Sequence, residues 1–199
     1  MSADARTIAV YDDAAERYGR RNGEPWEIEA LETFLDRLPT HALILDLGCG
    51  PGHFSEHMTA AGYRVDPVDA SEGMVKLAQS RDLPARVARF DQIDAVGAYD
   101  GVWANFSLLH APRADVPGHL NRLNTALKPG GIIHIGFKVG PGEGRDSLDR
   151  FYTYWQVEEM RAALSDAGFA VDKHVPRGKS IGLNSSPFGW ALMTATKKD

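Results

Sequence analysis

The chain has 199 residues, 43% hydrophobic and 25% charged, which is enough for one filled core and too few for two ordinary domains. A net charge of −5 argues against a broad basic nucleic-acid-binding face, and no apolar run approaches the ~20 residues that would span a bilayer. The single cysteine, Cys49, excludes an internal disulfide, and Met1-Ser2-Ala3-Asp4-Ala5-Arg6 lacks a basic-then-apolar leader, so a cytoplasmic protein in a reducing compartment is expected.

In chain order, residues 7–20 predict a helix with Ile8, Tyr11, Ala15 and Tyr18 on one stripe. Pro25 opens a second helix carrying Ile28, Leu31, Phe34, Leu35 and Leu38, and Pro39 stops it. Residues 42–47 predict a first strand, 53–61 a helix ending near Gly62, and 63–68 a second strand whose Pro67 signals a twist or bulge. Ser71 can cap a helix bearing Met74, Val75 and Ala78, and a third strand follows over 85–90. Residues 99–104 predict a fourth strand. Asp115 and Pro117 open a helix that Pro129-Gly130 closes, and 131–137 predict a fifth strand. Residues 139–150 read as a Gly-rich charged loop, 156–167 as a helix ended by Gly168, and 169–175 with 188–196 as two final strands.

Alternation of strands and helices predicts an α/β fold, a doubly wound, mostly parallel seven-stranded sheet with helices on both faces. The short connection before the last strand makes that strand the antiparallel one. The organisation expected is one domain, with a helical cap over 1–39, a core over 40–137 and a C-terminal part over 138–199.

The most informative segment is Asp46-Leu47-Gly48-Cys49-Gly50-Pro51-Gly52, in which a buried strand runs into a glycine turn that opens a helix. A dinucleotide fingerprint would need glycine at 53, and His53 stands there. Asp46 would repel a pyrophosphate, whereas it suits a cation. S-adenosylmethionine (SAM) carries a sulfonium and an ammonium and no phosphate. In an open α/β sheet the ligand lies outside the carboxyl ends of the strands, which directs attention to Asp69-Ala70-Ser71, Phe90-Asp91-Gln92 and Asn105-Phe106-Ser107-Leu108-Leu109-His110. Asp69, about twenty residues past the glycine turn, is placed to accept from ribose hydroxyls, and its bland alternative is a helix cap. His110 has two readings as well, as a neutral general base or as a hydrogen-bonded brace of its loop. No histidine spacing points to a metal.

With Phe90-Asp91, Tyr99-Asp100-Gly101-Val102-Trp103-Ala104 and Leu127-Lys128-Pro129-Gly130-Gly131 in order after these motifs, the chain resembles the small class I SAM-dependent methyltransferases, strongly over residues 40–137. The resemblance implies SAM as cofactor, S-adenosylhomocysteine as product and the seven-stranded architecture. It implies cofactor contacts at Asp46, Gly48, Gly50, His53, Asp69, Ala70, Met74, Asp91, Gln92, Asn105 and Phe106, with Asp91 on the adenine amine. Tyr11 and Tyr18 would cover the amino-acid end of the cofactor, with Arg21 as a partner for its carboxylate. Met74 and both tyrosines also read as ordinary core.

The resemblance leaves the acceptor open. A small molecule is expected, because the Asn/Asp-Pro-Pro-Tyr string of many base and glutamine methylases is missing after the fourth strand. Phe151, Tyr152, Tyr154 and Trp155 form either an acceptor wall or a cluster under the last helix. Arg86, Arg89, Arg113, Arg145 and Arg150 read as a solvated mixed-charge face, with a tRNA surface as the rival. A SAM-binding regulator without turnover and a nicotinamide oxidoreductase are the other readings.

Overall fold

The computed structural model describes residues 4–19, 23–172, 176–178 and 189–198. Arg21 and His174 lie outside them. The elements are α1 (Ala5–Asp13), α2 (Ala15–Tyr18), α3 (Pro25–Leu35), β1 (Leu43–Leu47), α4 (His53–Ala60), β2 (Arg64–Asp69), α5 (Glu72–Gln79), β3 (Arg86–Val87), β4 (Tyr99–Asn105), α6 (Val116–Ala126), β5 (Leu127–Lys138), β6 (Glu143–Arg145), β7 (Phe151–Thr153), α7 (Val157–Asp166), β8 (Phe169–Val171), β9 (Arg177–Gly178) and β10 (Trp190–Lys197). The sheet runs β3-β2-β1-β4-β5-β10-β8, with the short β9 beside β10. β2, β1, β4 and β5 pair in parallel, and β10 is antiparallel to both β5 and β8. The winding reverses between β1 and β4, which opens the crevice where ligands of such sheets sit.

Side-chain alternation splits the core into two layers. Leu45, Leu47, Val102, Ala104, Ile133 and Ile135 face α6 and α7, whereas Ile44, Trp103 and Ile132 face Leu31 and Phe34 of α3 and Phe54 and Met58 of α4. Both faces are covered, which is why the central strands read as near-continuous apolar runs. Asp46 alternates onto the α3/α4 face, where it is 1% exposed. Cys49 packs with Val75, Ala78 and Leu83, the structural use expected of a lone thiol beneath a glycine turn.

Several elements differ from expectation. The N-terminal helix breaks at Ala14 (φ −96°, ψ 2°), two residues after Asp12, whose carboxylate accepts from Ser71 Oγ and the Gly73 N–H at the start of α5. Pro67 causes no bulge: the β1–β2 register runs unbroken, and β3 reaches only Val68 and Asp69, so Pro67 owes that neighbour no hydrogen bond. The irregularity lies between Tyr99 and Gly101, opposite β5. β3 is shorter than expected because residues 90–92 turn into a 3-10 helix. The expected loop over 139–150 contains β6, which forms a hairpin with β7. Among the described residues no helix is long and apolar enough to cross a membrane.

Candidate active site

At the carboxyl ends of β1, β2, β4 and β5 lies a cavity of about 760 Å³, within the ordinary range of ligand pockets. Its β1–β2 end is built from backbone and short acids. The N–H groups of Gly48 and Cys49 donate to Val68 O (2.8 and 2.9 Å), which folds the glycine turn against β2. Gly48 has φ +76°, and a Cβ there would collide with the Cβ of Ser107. Gly50 has φ +54° and meets no atom within 4 Å in the direction of a Cβ, so its bare backbone faces the cavity. The Asp69 carboxylate accepts from Gly50 N–H and Ser71 N–H, each at 2.9 Å, and thereby ties the turn to the end of β2. Ser71 Oγ in turn caps α5 by accepting from Met74 N–H at 3.1 Å.

Asp46 sits under this turn and accepts from Ser55 Oγ at 2.6 Å. Burial pushes its carboxyl up to about 7, against the lowering effect of Ser55, and the neighbouring charge of Asp69 adds to the rise. Burial likewise raises Asp69, opposed by its backbone hydrogen bonds. A buried and a half-buried acid beside an open glycine turn make a cation-favouring hollow.

The middle of the cavity is aromatic and polar. Phe106 is held at φ +55° with its N–H on Gly136 O at 3.0 Å. A Cβ on Gly136 would strike Asn105 Oδ1 and crowd the Phe106 ring, so this glycine is what allows the turn after β4. Trp26 stacks on Trp190 (4.1 Å, 14°) and meets Phe106 edge-on at 6.0 Å. Asn105 Oδ1 and Ser107 Oγ have no hydrogen-bond partner among the described residues. Glu27, buried at the start of α3, reaches Asn105 Nδ2 at 3.4 Å.

The β5 end is built from long side chains drawn from distant segments. His110 Nδ1 donates to Phe151 O at 2.6 Å, so Nε2 is the ring's acceptor and takes the Tyr11 hydroxyl at 2.8 Å. Burial lowers the imidazole to about 4 and raises the Tyr11 phenol to about 12, so both are neutral at pH 7. Arg150, 5% exposed, gives Nε and Nη2 to Asp146 Oδ2 (2.9 and 2.6 Å) and Nη1 to the Tyr18 hydroxyl (2.7 Å). Lys138 Nζ lies 4.0 Å from the Tyr152 ring centroid. Across the top, α1 is fastened to the β6–β7 hairpin. Thr7 Oγ1 accepts from Phe151 N–H (2.8 Å), and Arg145 pairs with Asp4 (2.7 Å).

Most residues marked in the sequence line this one cavity: Tyr11, Tyr18, Asp46, Gly48, Gly50, His53, Asp69, Ala70, Met74, Asn105, Phe106 and His110. Asp91 and Gln92 are exposed and do not line it. Asp91 lies 3.6 Å from Arg89, and Gln92 takes the Arg89 N–H, while Ala88 and Phe90 hold the cavity wall there. The hairpin aromatics divide, Tyr152 lining the cavity and Trp155 joining the core with Val157 and Met160. The solvated-face reading is corrected for Arg150, which is buried. Lys138, Trp26, Glu27 and Trp190 line the cavity without having been marked in the sequence. The only available signal for Lys138 was its place at the end of a strand.

Residues 44–131, which include the glycine turn and both acids, match a family model described as "Methyltransferase domain". Over these residues the chain is similar to the SAM-dependent methyltransferases. Among curated methyltransferases it is 37% identical over 108 residues to a ubiquinone biosynthesis O-methyltransferase of Caulobacter vibrioides, covering 50% of this chain and 42% of the relative. It is 29% identical over 143 residues to a malonyl-[acyl-carrier protein] O-methyltransferase of Erwinia billingiae, covering 67% and 53%. The chain thus spans about half the length of the curated relatives it matches. The methyltransferase fold is also that of a Burkholderia thailandensis 1,6-didemethyltoxoflavin-N1-methyltransferase, solved with 1,6-didemethyltoxoflavin and S-adenosylhomocysteine (TM-score 0.75, 22% identity, 96% of this chain and 85% of that one).

Proposed function

We propose that this protein transfers a methyl group from SAM to a small-molecule acceptor. The observation that carries the proposal is the pair of acids, buried Asp46 and half-buried Asp69, flanking an open glycine turn on a cavity of about 760 Å³. The donor set fits SAM. Asp69 lies at the strand end from which a carboxylate takes ribose hydroxyls. Asp46 supplies negative potential for a sulfonium and ammonium, and Met74, Ala88 and Phe90 give an apolar wall beside them for a base. The match to a methyltransferase domain and the names of the relatives support methyl transfer, and the two curated relatives cited support oxygen as the receiving atom.

When bound, SAM supplies a methyl group already activated on a sulfonium. The protein then needs alignment and a dry site more than chemical groups of its own. Trp26, Phe106 and Trp190 exclude water, and α1 closes the top through Thr7 and Tyr11. His110 has its tautomer fixed by the Phe151 carbonyl, and its Nε2 lone pair points where Tyr11 now donates. An acceptor hydroxyl that takes over the place of the Tyr11 hydroxyl would be oriented by the same nitrogen and could leave its proton there.

Calorimetry with SAM and S-adenosylhomocysteine tests the cofactor assignment, and release of S-adenosylhomocysteine over an acceptor panel tests turnover. Wild type is expected to bind both nucleosides. His110→Gln is expected to keep SAM affinity and lose turnover. Absence of heat with either nucleoside refutes the proposal.

A further inference from the structure

We infer that the acceptor taken by this cavity is a phenol, and that Tyr11 of α1 keeps its place on His110 until it arrives. The inference deepens the methyl-transfer reading and rests on it. It starts from the group that stands at the acceptor position in this structure. The Tyr11 hydroxyl lies 2.8 Å from His110 Nε2. Its ring meets the imidazole edge-on at 5.4 Å and 72°, and the Tyr18 ring at 5.5 Å and 64°, both within the range in which aromatic pairs attract. The chain's own side chain thus displays the chemistry that fits there, an aromatic hydroxyl with rings around its edge. A saturated alcohol of the same size would keep the hydrogen bond and lose both ring contacts. Trp26, Phe106 and Trp190 line the same cavity and offer flat apolar surface to the rest of an aromatic body.

The place is fixed, and its occupant is not. His110 Nδ1 donates to Phe151 O at 2.6 Å, and the imidazole packs 4.7 Å from the Tyr152 ring; neither contact involves α1. Of the nine residues of α1, only Thr7 is buried. The helix is held by polar contacts, Asp4 on Arg145, Thr7 on Phe151 and Asp12 on Ser71 and Gly73. An element with so little buried apolar surface, fastened by bonds that water can replace, opens locally without unfolding the sheet. Acidity points the same way. Burial holds the imidazole at about 4, so it is a weak base, better matched to a phenol than to the far less acidic aliphatic alcohols. Burial raises a phenol here as well, to about 12 for Tyr11, so the proton leaves only as the new bond forms. The phenolic oxygen bonds to the methyl carbon, the carbon–sulfur bond breaks with its electron pair left on sulfur, and the phenolic proton passes to Nε2 and then to water. The products are an aryl methyl ether and S-adenosylhomocysteine.

Phenol, catechol and 2-naphthol carry the expected group. Benzyl alcohol keeps the ring with an aliphatic hydroxyl, and cyclohexanol keeps the size without the flat ring. Each is offered with SAM to the full chain in wild type, Tyr11→Ala and Tyr11→Phe, and release of S-adenosylhomocysteine is followed. Wild type should methylate at least one of the phenols and neither control. Tyr11→Ala should lower KM for that phenol by about tenfold at unchanged kcat, the effect of freeing a place that is taken in about nine-tenths of the molecules. Tyr11→Phe, which keeps the ring and loses the hydroxyl, should lower KM by less. Calorimetry should give one S-adenosylhomocysteine affinity for all three proteins. With no turnover involved, adding the phenol to wild type saturated with S-adenosylhomocysteine should speed amide exchange in α1, and adding cyclohexanol should not. No methylation of any phenol, equal methylation of either control, a KM that holds or rises in Tyr11→Ala, or α1 exchange that the phenol leaves unmoved overturns the inference. So does a loss of S-adenosylhomocysteine affinity in both variants, because Tyr11 would then cover the cofactor. If wild type binds no S-adenosylhomocysteine, the methyl-transfer reading falls first. Methylation of an amine or an acid but of no phenol leaves that reading standing and overturns this one.

Discussion

The two ends of the cavity are made in different ways. At the β1–β2 end the contacts come from backbone N–H groups, from glycines that keep space clear, and from two acids one strand apart. Nothing long or mobile is involved, and the parts lie within residues 46–71. At the β5 end the contacts come from Tyr11, Tyr18, His110, Lys138 and Arg150, long side chains brought from four separate segments, with Tyr11 on His110, Tyr18 on Arg150 and Lys138 over the Tyr152 ring. The first end is preorganised by the fold itself. The second is preorganised only as long as α1 stays fastened to the hairpin. One end is therefore suited to a ligand common to a family, and the other can change its ligand by changing side chains without touching the sheet.

Breaking the first end should have the largest effect. Asp69→Ala removes the acceptor of two backbone N–H groups as well as the proposed ribose contact. Calorimetry should show SAM affinity falling by about a hundredfold, the scale of a lost charged acceptor. Lys138→Met, at the opposite end, should leave it unchanged. An equal loss in both variants would mean that the two ends are one site. Gly48→Ala comes next. Positive φ and a collision with the Ser107 Cβ together should cost about 3 kcal/mol, seen as a fall in melting temperature of roughly 10 °C. Gly50→Ala, with open space ahead of its Cβ, should melt nearer wild type and lose SAM affinity instead.

The same contrast explains what the sequence could reveal. Asp46, Gly48, Gly50 and Asp69 were legible because their spacing follows from one strand-turn-helix unit and the strand beside it. The mostly parallel sheet and the reversed β10 were legible because alternation and connection length point to them, whereas the strand order was not read from the sequence. Arg150 was not legible. Composition makes an arginine next to Gly-rich charged sequence look solvated, and only the β6–β7 hairpin, hidden in that segment, turns it inward onto Asp146 and Tyr18. The Trp26–Trp190 stack joins residues from α3 and β10, and no local periodicity carries such a pairing. Asp91 failed as a cavity residue for a similar reason. The 3-10 turn over 90–92 leaves Phe90 on the cavity wall and turns the acid out toward Arg89.

A smaller effect separates the two ends by pH. Asp46 titrates near 7, and a cation binds better to its ionised form. SAM affinity should therefore fall as pH drops below 7, by up to about tenfold per unit. Asp46→Asn should flatten that profile, and Ser55→Ala, which removes a hydrogen bond that lowers the carboxyl, should move it upward. The stability effect has the opposite sign. A carboxyl raised in the folded state keeps a proton that the unfolded chain releases, so this group favours folding more as pH falls from 7 toward its ordinary range near 4. Asp66, Asp100 and Asp146, held below the ordinary range by Arg86, Lys128 and Arg150 respectively, lose their contribution only at more acid pH. A SAM-binding profile that is level between pH 6 and about 8 would show that Asp46 does not face the cofactor's charge.

The smallest effect tests whether the second end depends on its fastening. Thr7 is 4% exposed, and its hydroxyl donates to Asp4 Oδ2 at 2.7 Å while accepting the Phe151 N–H at 2.8 Å. Thr7→Val keeps the shape and removes both bonds, leaving a backbone donor on β7 without its partner. The expected cost is about 1 kcal/mol, or roughly 3 °C of melting temperature in a chain of this size. Its local consequence should be more visible than its global one. Amide exchange should speed up in α1 and at residues 151–153, and not in β1 or β2. SAM affinity should change little, because the glycine turn and its acids make no contact with Thr7. If exchange instead rose across the β1–β2 end as well, the two halves of the cavity would open as one cooperative unit, and the independence assigned to them would be wrong.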